Sequence, residues 1–196
     1  MKIILGSKSP RRAEILGFFS LPFKQIASDF DEESVAYTGD PAKLALELAM
    51  SKAKVLASQY PHDVILTADT VVAIDGITLG KPGSEAESRE MLSRLAGRWH
   101  SVITAVVASK GGKFFSEVEE TKVLCNSVTP DELHRYMRKH ALYDKAGGYA
   151  IQKSGSVLVR RIEGCYYNVC GLPINALGSV LLKVGIDLWD HLKALE

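Results

Sequence analysis

The chain has 196 residues, 46% of them hydrophobic, which is enough to bury a core in a single domain over residues 1–196, with one lobe or two. Its 24 basic and 23 acidic side chains give a formal charge of +1, so we expect binding neither to nucleic acid nor to a membrane. Three cysteines without C-x-x-C spacing argue against a disulfide framework and a zinc ribbon, and the N-terminal apolar stretch is too short for a signal peptide. We therefore expect a cytoplasmic protein.

The first predicted elements are a short strand and a helix that has two arginines at its start. Residues 2–5 predict the strand, and Ser9 followed by Pro10 is typical of a helix start, because serine caps free amides and proline fits the first helical position. Arg11 and Arg12 then lie in the first turn, where the helix dipole disfavours positive charge. An anion bound between the amides and the guanidinium groups would remove this conflict. The alternative is that both arginines point into solvent.

The next part of the chain predicts a strand, a long helix and a hairpin. A second strand is expected over residues 21–28. Alanine and leucine recur at helical spacing over residues 41–59, which is the clearest helix of the sequence. Residues 62–76 are rich in β-branched side chains and end in an Asp-Gly turn, so we expect them to form a hairpin with residues 77–82.

The remaining elements also alternate between helices and strands. Ser84 and Glu87 stand at capping-box spacing, and Thr129 is expected to cap a second helix. Hairpins mixed with crossover helices favour a mixed sheet in an α/β or α+β fold. The predicted elements are a helix over 84–97, an antiparallel pair over 100–109 and 113–128, a helix over 129–140, a strand over 156–164 and a helix after Pro173.

A carboxylate interrupts the most apolar predicted strand. Asp69 lies within VILTADTVVAI, where an unpaired buried charge would cost several kcal/mol. A cation should therefore face it. The alternative is that Asp69 ends the strand and caps the turn at Thr70, since a carboxylate in an apolar run is only a probabilistic marker of a site.

Further charges stand near the ends of predicted elements. Asp31, Glu32 and Glu33 follow the second strand, where α/β proteins commonly bind ligands, although a solvated acidic turn explains them equally well. Lys52 lies in the apolar helix and could extend to solvent, and Lys81 lies in a Gly-Lys-Pro turn. Together with Arg11 and Arg12, these charges and Asp69 give two candidate carboxylate sites and at least four cations.

Such a set suits phosphoryl transfer or hydrolysis of a phosphoanhydride. Carboxylates bind Mg²⁺ and orient water, while lysine and arginine neutralise phosphate oxygens. The sequence has no G-x-x-x-x-G-K-[ST] loop, kinase pattern or G-x-S-x-G motif, which argues against those classes of enzyme. Its five histidines lack HExxH spacing, so we expect them at the surface or behind a site.

A third polar cluster, YDKAGGYAIQKSG, covers residues 143–155. Its glycines would allow close approach of the backbone to a small ligand, and Gln152 could read hydrogen-bond donors and acceptors on a base. The alternative is a flexible surface loop, which such a composition also fits.

Several ordered motifs together resemble one family. These motifs are, in chain order, SKSPRR, DEES, SKA, ADTVV, LGKP, GRWHSVITAV, DKAGGYAIQ and YYNVCGLP. They follow the order found in the Maf family of nucleoside triphosphate pyrophosphatases. The resemblance covers nearly the whole chain. It implies the α/β fold of inosine triphosphatase-like enzymes, with an elongated mixed sheet flanked by helices and a central cleft. It also implies a house-cleaning enzyme that hydrolyses a nucleoside triphosphate to the monophosphate and diphosphate.

The resemblance also implies roles for individual residues. Asp69 matches the proton acceptor of the family, and Glu32 would bind a divalent cation with it, Mg²⁺ or alternatively Mn²⁺. The other matching residues would contact the substrate. They are Arg12, Thr70 and Gln152 for discrimination, Lys52 and Lys81 for the phosphates, and Ser7, Ser9 and Arg11 along the triphosphate.

DKAGGYAIQ is similar to the branch of the family that acts on dTTP and UTP, so we expect those substrates or modified pyrimidine nucleotides. The alternatives are a 7-methyl-GTP or other noncanonical nucleotide pyrophosphatase, and a nucleotide-binding regulator of cell division without turnover. A homodimer is also plausible by resemblance. The chain departs from the branch in two ways: Ala141 and Leu142 stand near the place where a glutamate is usual, and Cys170 stands where valine is common.

Overall fold

The computed structural model describes residues 2–140 and 143–194, which form one seven-stranded mixed sheet flanked by helices. This confirms the α/β class expected from the sequence. The strands are β1 Ile3–Gly6, β2 Phe23–Gln25, β3 Val64–Ile74, β4 Ile77–Leu79, β5 Trp99–Lys110, β6 Lys113–Cys125 and β7 Val159–Glu163.

The described residues contain six α-helices and several short 3₁₀ turns. The helices are α1 Pro10–Leu16, α2 Pro41–Gln59, α3 Glu85–Leu95, α4 Pro130–Lys139, α5 Tyr166–Val169 and α6 Ile174–Lys183. In this part of the chain, no helix combines the length and the apolar character needed to cross a membrane.

The strand order explains why the sheet is mixed. Six strands run in the order β2-β1-β3-β5-β6-β7, and β4 pairs with β3 outside this order. Strand β1 pairs in parallel with β2 and with β3. The pairs β3–β4, β3–β5, β5–β6 and β6–β7 are antiparallel. The parallel pairs require crossover connections, which α1 and α2 supply.

Strand β3 is buried on both faces, and successive side chains point to opposite layers. Ile65 and Val71 pack in the cluster that contains the alanines of α2. Leu66 packs with α1 and α6 on the other face, and Val72 packs with α3 and α4. A residue of β3 with an odd number therefore faces α2, and this places Asp69 on the α2 side.

Several elements differ in detail from the sequence prediction. Helix α2 has the predicted bounds, whereas β2 is shorter than residues 21–28 and β6 ends at Cys125. Ser9 makes no side-chain cap, and its own backbone amide donates to the Ser7 hydroxyl. Ser84 accepts the Glu87 amide as predicted, but the Glu87 carboxylate accepts from Gly83, so this capping box is not reciprocal.

Asn168 stabilises the centre of the sheet and gives a test of the packing. It is fully buried, and its side-chain amide donates to the Val102 carbonyl (2.8 Å) and to the Thr121 hydroxyl (2.9 Å). Asn168→Ala should lower the free energy of unfolding by about 2–3 kcal/mol, because two buried acceptors lose their donor. Urea denaturation measures this loss. Asn126→Ala, which removes one exposed bond to Val157, should cost less than about 1 kcal/mol.

Candidate active site

A cleft opens where one edge of β3 lacks a strand partner. Strand β1 pairs with this edge as far as Thr67, and β4 pairs with it from Val72 onward. Between them, residues 68–71 have no strand partner on this edge in the described part of the chain. The Ala68 carbonyl accepts a hydrogen bond from Arg12 instead, at 2.7 Å. The free edge therefore presents Asp69 and Thr70 to the cleft.

The cleft has a volume of about 990 Å³ and brings together all the candidate site residues of the sequence analysis. This volume suits a ligand of nucleotide size. The ten candidate residues among those that line it are Ser7, Ser9, Arg11, Arg12, Glu32, Lys52, Asp69, Thr70, Lys81 and Gln152.

A lysine lies between two carboxylates at the centre of the cleft. The Nζ atom of Lys52 is 2.5 Å from Oδ1 of Asp69 and 2.8 Å from Oε1 of Glu32. Lys52 and Asp69 are each only 8% exposed. The expectation that a cation faces Asp69 is therefore confirmed, and the alternatives that Lys52 reaches solvent or that Asp69 ends its strand are wrong.

The charge of Lys52 also acts on Glu32. Burial by itself would raise the pKa of Glu32, but the hydrogen bond and charge of Lys52, helped by Lys81 and Arg12, hold that pKa below its ordinary value. Glu32 is thus ionised at neutral pH. Its neighbour Asp31 instead caps a 3₁₀ turn by accepting the amide of Glu33, so a structural explanation suffices for Asp31.

Arg12 connects three parts of the cleft wall. Its guanidinium donates to the carbonyls of Ala68 (2.7 Å) and Gly171 (2.8 Å) and to the hydroxyls of Ser7 (3.2 Å) and Thr70 (3.0 Å). Burial lowers the pKa of Arg12, and the charge of Asp69 opposes this change. The interpretation that both arginines point into solvent is therefore wrong for Arg12, which fixes the position of Thr70.

An ion-pair cluster crosses the cleft between α1 and the 143–155 segment. Asp144 lies 3.2 Å from Arg11 and 2.6 Å from Lys145. The pKa of Asp144, which burial would raise, is lowered by these two cations. From this polar segment only Gln152 was predicted to be a site residue. Ala141 and Leu142, the positions of the usual glutamate, lie outside the described residues.

One end of the cleft is apolar. Val72 and Val102, which are paired across β3 and β5, line it together with Leu79 and Tyr149. The Tyr149 hydroxyl lies 2.7 Å from Nε2 of the buried His100. Tyr149 was not among the predicted site residues, although its place between two glycines and Gln152 was a usable signal.

The fold and the cleft define an α/β protein whose cleft combines cations for an anionic ligand, a carboxylate–lysine cluster and an apolar end. The family model of the Maf-like proteins matches residues 2–184, and the chain belongs to this family. A dTTP/UTP pyrophosphatase of Chlamydia felis is 45% identical over 192 residues, covering 97% of this chain and 98% of the relative. A dTTP/UTP pyrophosphatase of Pyrococcus abyssi is 46% identical over 183 residues, covering 93% of this chain and 96% of the relative.

Removing the central cation should destabilise the fold. Lys52→Met leaves the buried Asp69 carboxylate without its partner, and we expect the free energy of unfolding to fall by about 3 kcal/mol at pH 7. Chemical denaturation measures this loss. The double variant Lys52→Met/Asp69→Asn should recover part of it, because no uncompensated charge remains. Equal losses in the single and double variants would contradict a stabilising ion pair.

His100 should make stability depend on pH. Burial lowers the pKa of His100 from its ordinary 6.5 to about 4. The nearby Arg98 carbonyl opposes this lowering only in part, because it makes no well-formed hydrogen bond with Nδ1. Because the folded pKa is depressed, the contribution is present above pH 6.5 and is lost as the pH falls through about 4. Relative to His100→Gln, the wild type should lose up to about 3 kcal/mol over this range in pH-resolved denaturation. The exposed His62→Gln should retain the wild-type profile.

Proposed function

We propose that this chain is a nucleoside triphosphate pyrophosphatase that hydrolyses dTTP and UTP to the monophosphate and diphosphate. The observation that carries the proposal is the cluster of Lys52, Asp69 and Glu32 at the free edge of β3. It is supported by the names of the relatives, which include a nucleoside triphosphate pyrophosphatase of Chlamydia muridarum at 41% identity. The cations Arg11, Lys52 and Lys81 suit the phosphates of such a substrate, and the apolar end of the cleft suits its base.

The donor set at the cluster fits a divalent cation. The carboxylates of Glu32 and Asp69 already contact the positive charge of Lys52. Oxygen is the ligand atom that Mg²⁺ prefers. In the described part of the chain no third His, Cys, Asp or Glu completes a metal-binding group, so water and phosphate oxygens would supply the other ligands. Glu32 and Asp69 would therefore hold Mg²⁺, or alternatively Mn²⁺, and the bound ion would offset charge on the phosphates.

We assign the proton transfer to Asp69. In this mechanism the oxygen of a water molecule attacks the α-phosphorus while the Asp69 carboxylate accepts its proton. The bond from the α-phosphorus to the bridging oxygen breaks, and diphosphate leaves. Lys52 and Lys81, together with Arg11 from the helix start, would neutralise the charge that develops on the leaving group. Ser7 and Ser9 would line the same phosphates.

The base would be read by Gln152, which lines the same cleft as Thr70. The Gln152 side-chain amide offers both a donor and an acceptor, which matches the N3–H and O4 groups that thymine and uracil present. The Arg12 guanidinium donates its hydrogen bonds to groups of the protein. We therefore propose that Arg12 contributes to discrimination between substrates by holding Thr70 in place. A cytoplasmic location, a homodimer and the absence of a nucleic-acid substrate stay predictions of the sequence.

The test is diphosphate release from the purified protein with Mg²⁺, comparing dTTP, UTP, CTP, 7-methyl-GTP and the common purine triphosphates. We expect preferential release from dTTP and UTP. Asp69→Asn should lower kcat by about 100-fold or more, because the proton acceptor is lost. Asp75→Asn, which alters a surface ion pair beyond the cleft, is the matched control and should retain wild-type turnover.

Three outcomes would contradict parts of this account. Turnover restricted to 7-methyl-GTP would keep the mechanism and overturn the substrate assignment. Tight nucleotide binding without release would favour a regulator instead of an enzyme. Full activity in Asp69→Asn would overturn the role of Asp69.

A further inference from the structure

Tyr149 closes the apolar end of the cleft. Tyr149 is 5% exposed and lines the cleft with Val72 and Val102, which are neighbours across β3 and β5. In the proposed function the phosphates contact Arg11, Lys52 and Lys81, which line the same cleft. The base would then lie toward the two valines, beside Tyr149.

His100 holds this ring from behind. It lies two residues from Val102 on β5, so both side chains point to the same face of the sheet. Its Nε2 is 2.7 Å from the Tyr149 hydroxyl, and the two rings meet edge to face with centroids 5.3 Å apart. His100 is 4% exposed and is not among the described residues that line the cleft, so it acts on the cleft through Tyr149.

The backbone around Tyr149 is also fixed. Gly147 and Gly148 have positive φ angles, and the Gly147 amide donates to the Gly80 carbonyl at 3.0 Å. A Cβ atom at Gly147 would lie 3.3 Å from Val72, so glycine permits close approach of this segment to the sheet. On the far side, the Tyr136 hydroxyl accepts the amide of Ala150 at 3.3 Å.

We propose that Tyr149 is a specificity-determining residue that limits the depth of the base site, and that His100 is the residue that positions it. A ring held by a buried hydrogen bond and by edge-to-face packing cannot move aside as a free side chain does. A pyrimidine fits in front of it, whereas the second ring of a purine meets it. This inference rests on the proposed function, because it concerns which triphosphates the same site accepts.

The test compares kcat/KM for dTTP with that for dATP and dGTP, measured by diphosphate release. Tyr149→Leu replaces the ring by a smaller side chain and so deepens the base site. It should raise the ratio of kcat/KM for a purine nucleotide to kcat/KM for dTTP, the purine-to-dTTP ratio, by about ten-fold or more, which is the scale on which pocket size discriminates. His100→Leu frees the ring and should raise the ratio by about three-fold or more, since one hydrogen bond is lost. His100→Gln, whose amide can replace Nε2, should restore most of the wild-type ratio. Tyr149→Phe, which keeps the ring and loses the hydroxyl, should shift the ratio in the direction of His100→Leu.

Tyr136→Phe is the matched control. It removes another phenol hydroxyl that holds the same segment, but its ring packs with α3 and the sheet instead of lining the described cleft. Its melting temperature should fall while its purine-to-dTTP ratio stays at the wild-type value. Unchanged ratios in folded Tyr149→Leu, Tyr149→Phe and His100→Leu would overturn the inference alone. A wild type that releases no diphosphate from dTTP or UTP would overturn the proposed function and the inference with it.

Discussion

The ion pair of Lys52 with Asp69 is the interaction on which the rest of the site depends. A charge buried inside a protein is tolerated only when its partner is held in place, and here α2 and β3 provide the two sides. Ala45, Ala49 and Ala53 let the helix approach the sheet closely, and the Thr67 hydroxyl donates to the Ala49 carbonyl. The packing that forms the core on this face therefore also fixes the cation beside the carboxylate.

The cleft follows from how the sheet is assembled around β3. Strand β1 ends at Gly6, and β4 joins the same edge only at Val72, so a short free edge remains beside the ion pair. Helix α1 starts directly after β1 and sends Arg12 onto this edge. The carboxylates, the first helical turn and the apolar end of the cleft thus meet at one interruption of the sheet.

The sequence predicted local features well and long-range contacts less well. The bounds of α2 and the need for a cation near Asp69 were accessible, because helical spacing and the cost of a buried charge act locally. That this cation is Lys52, 17 residues away, depends on the packing of α2 against β3. The contact of His100 with Tyr149 joins residues 49 apart, and no periodicity carries that information. Ser9 precedes the helix as predicted, but its side chain accepts no amide of the first turn, which the residue type alone does not decide.

The central claim is that the cluster at the free edge directs water to the α-phosphorus of a nucleoside triphosphate. Hydrolysis of dTTP in water enriched in oxygen-18, followed by mass spectrometry of both products, tests it most directly. The account predicts one labelled oxygen in dTMP and none in the diphosphate. Label in the diphosphate, or release of labelled inorganic phosphate, would place the attack at another phosphorus. Either result would contradict the arrangement proposed for Asp69.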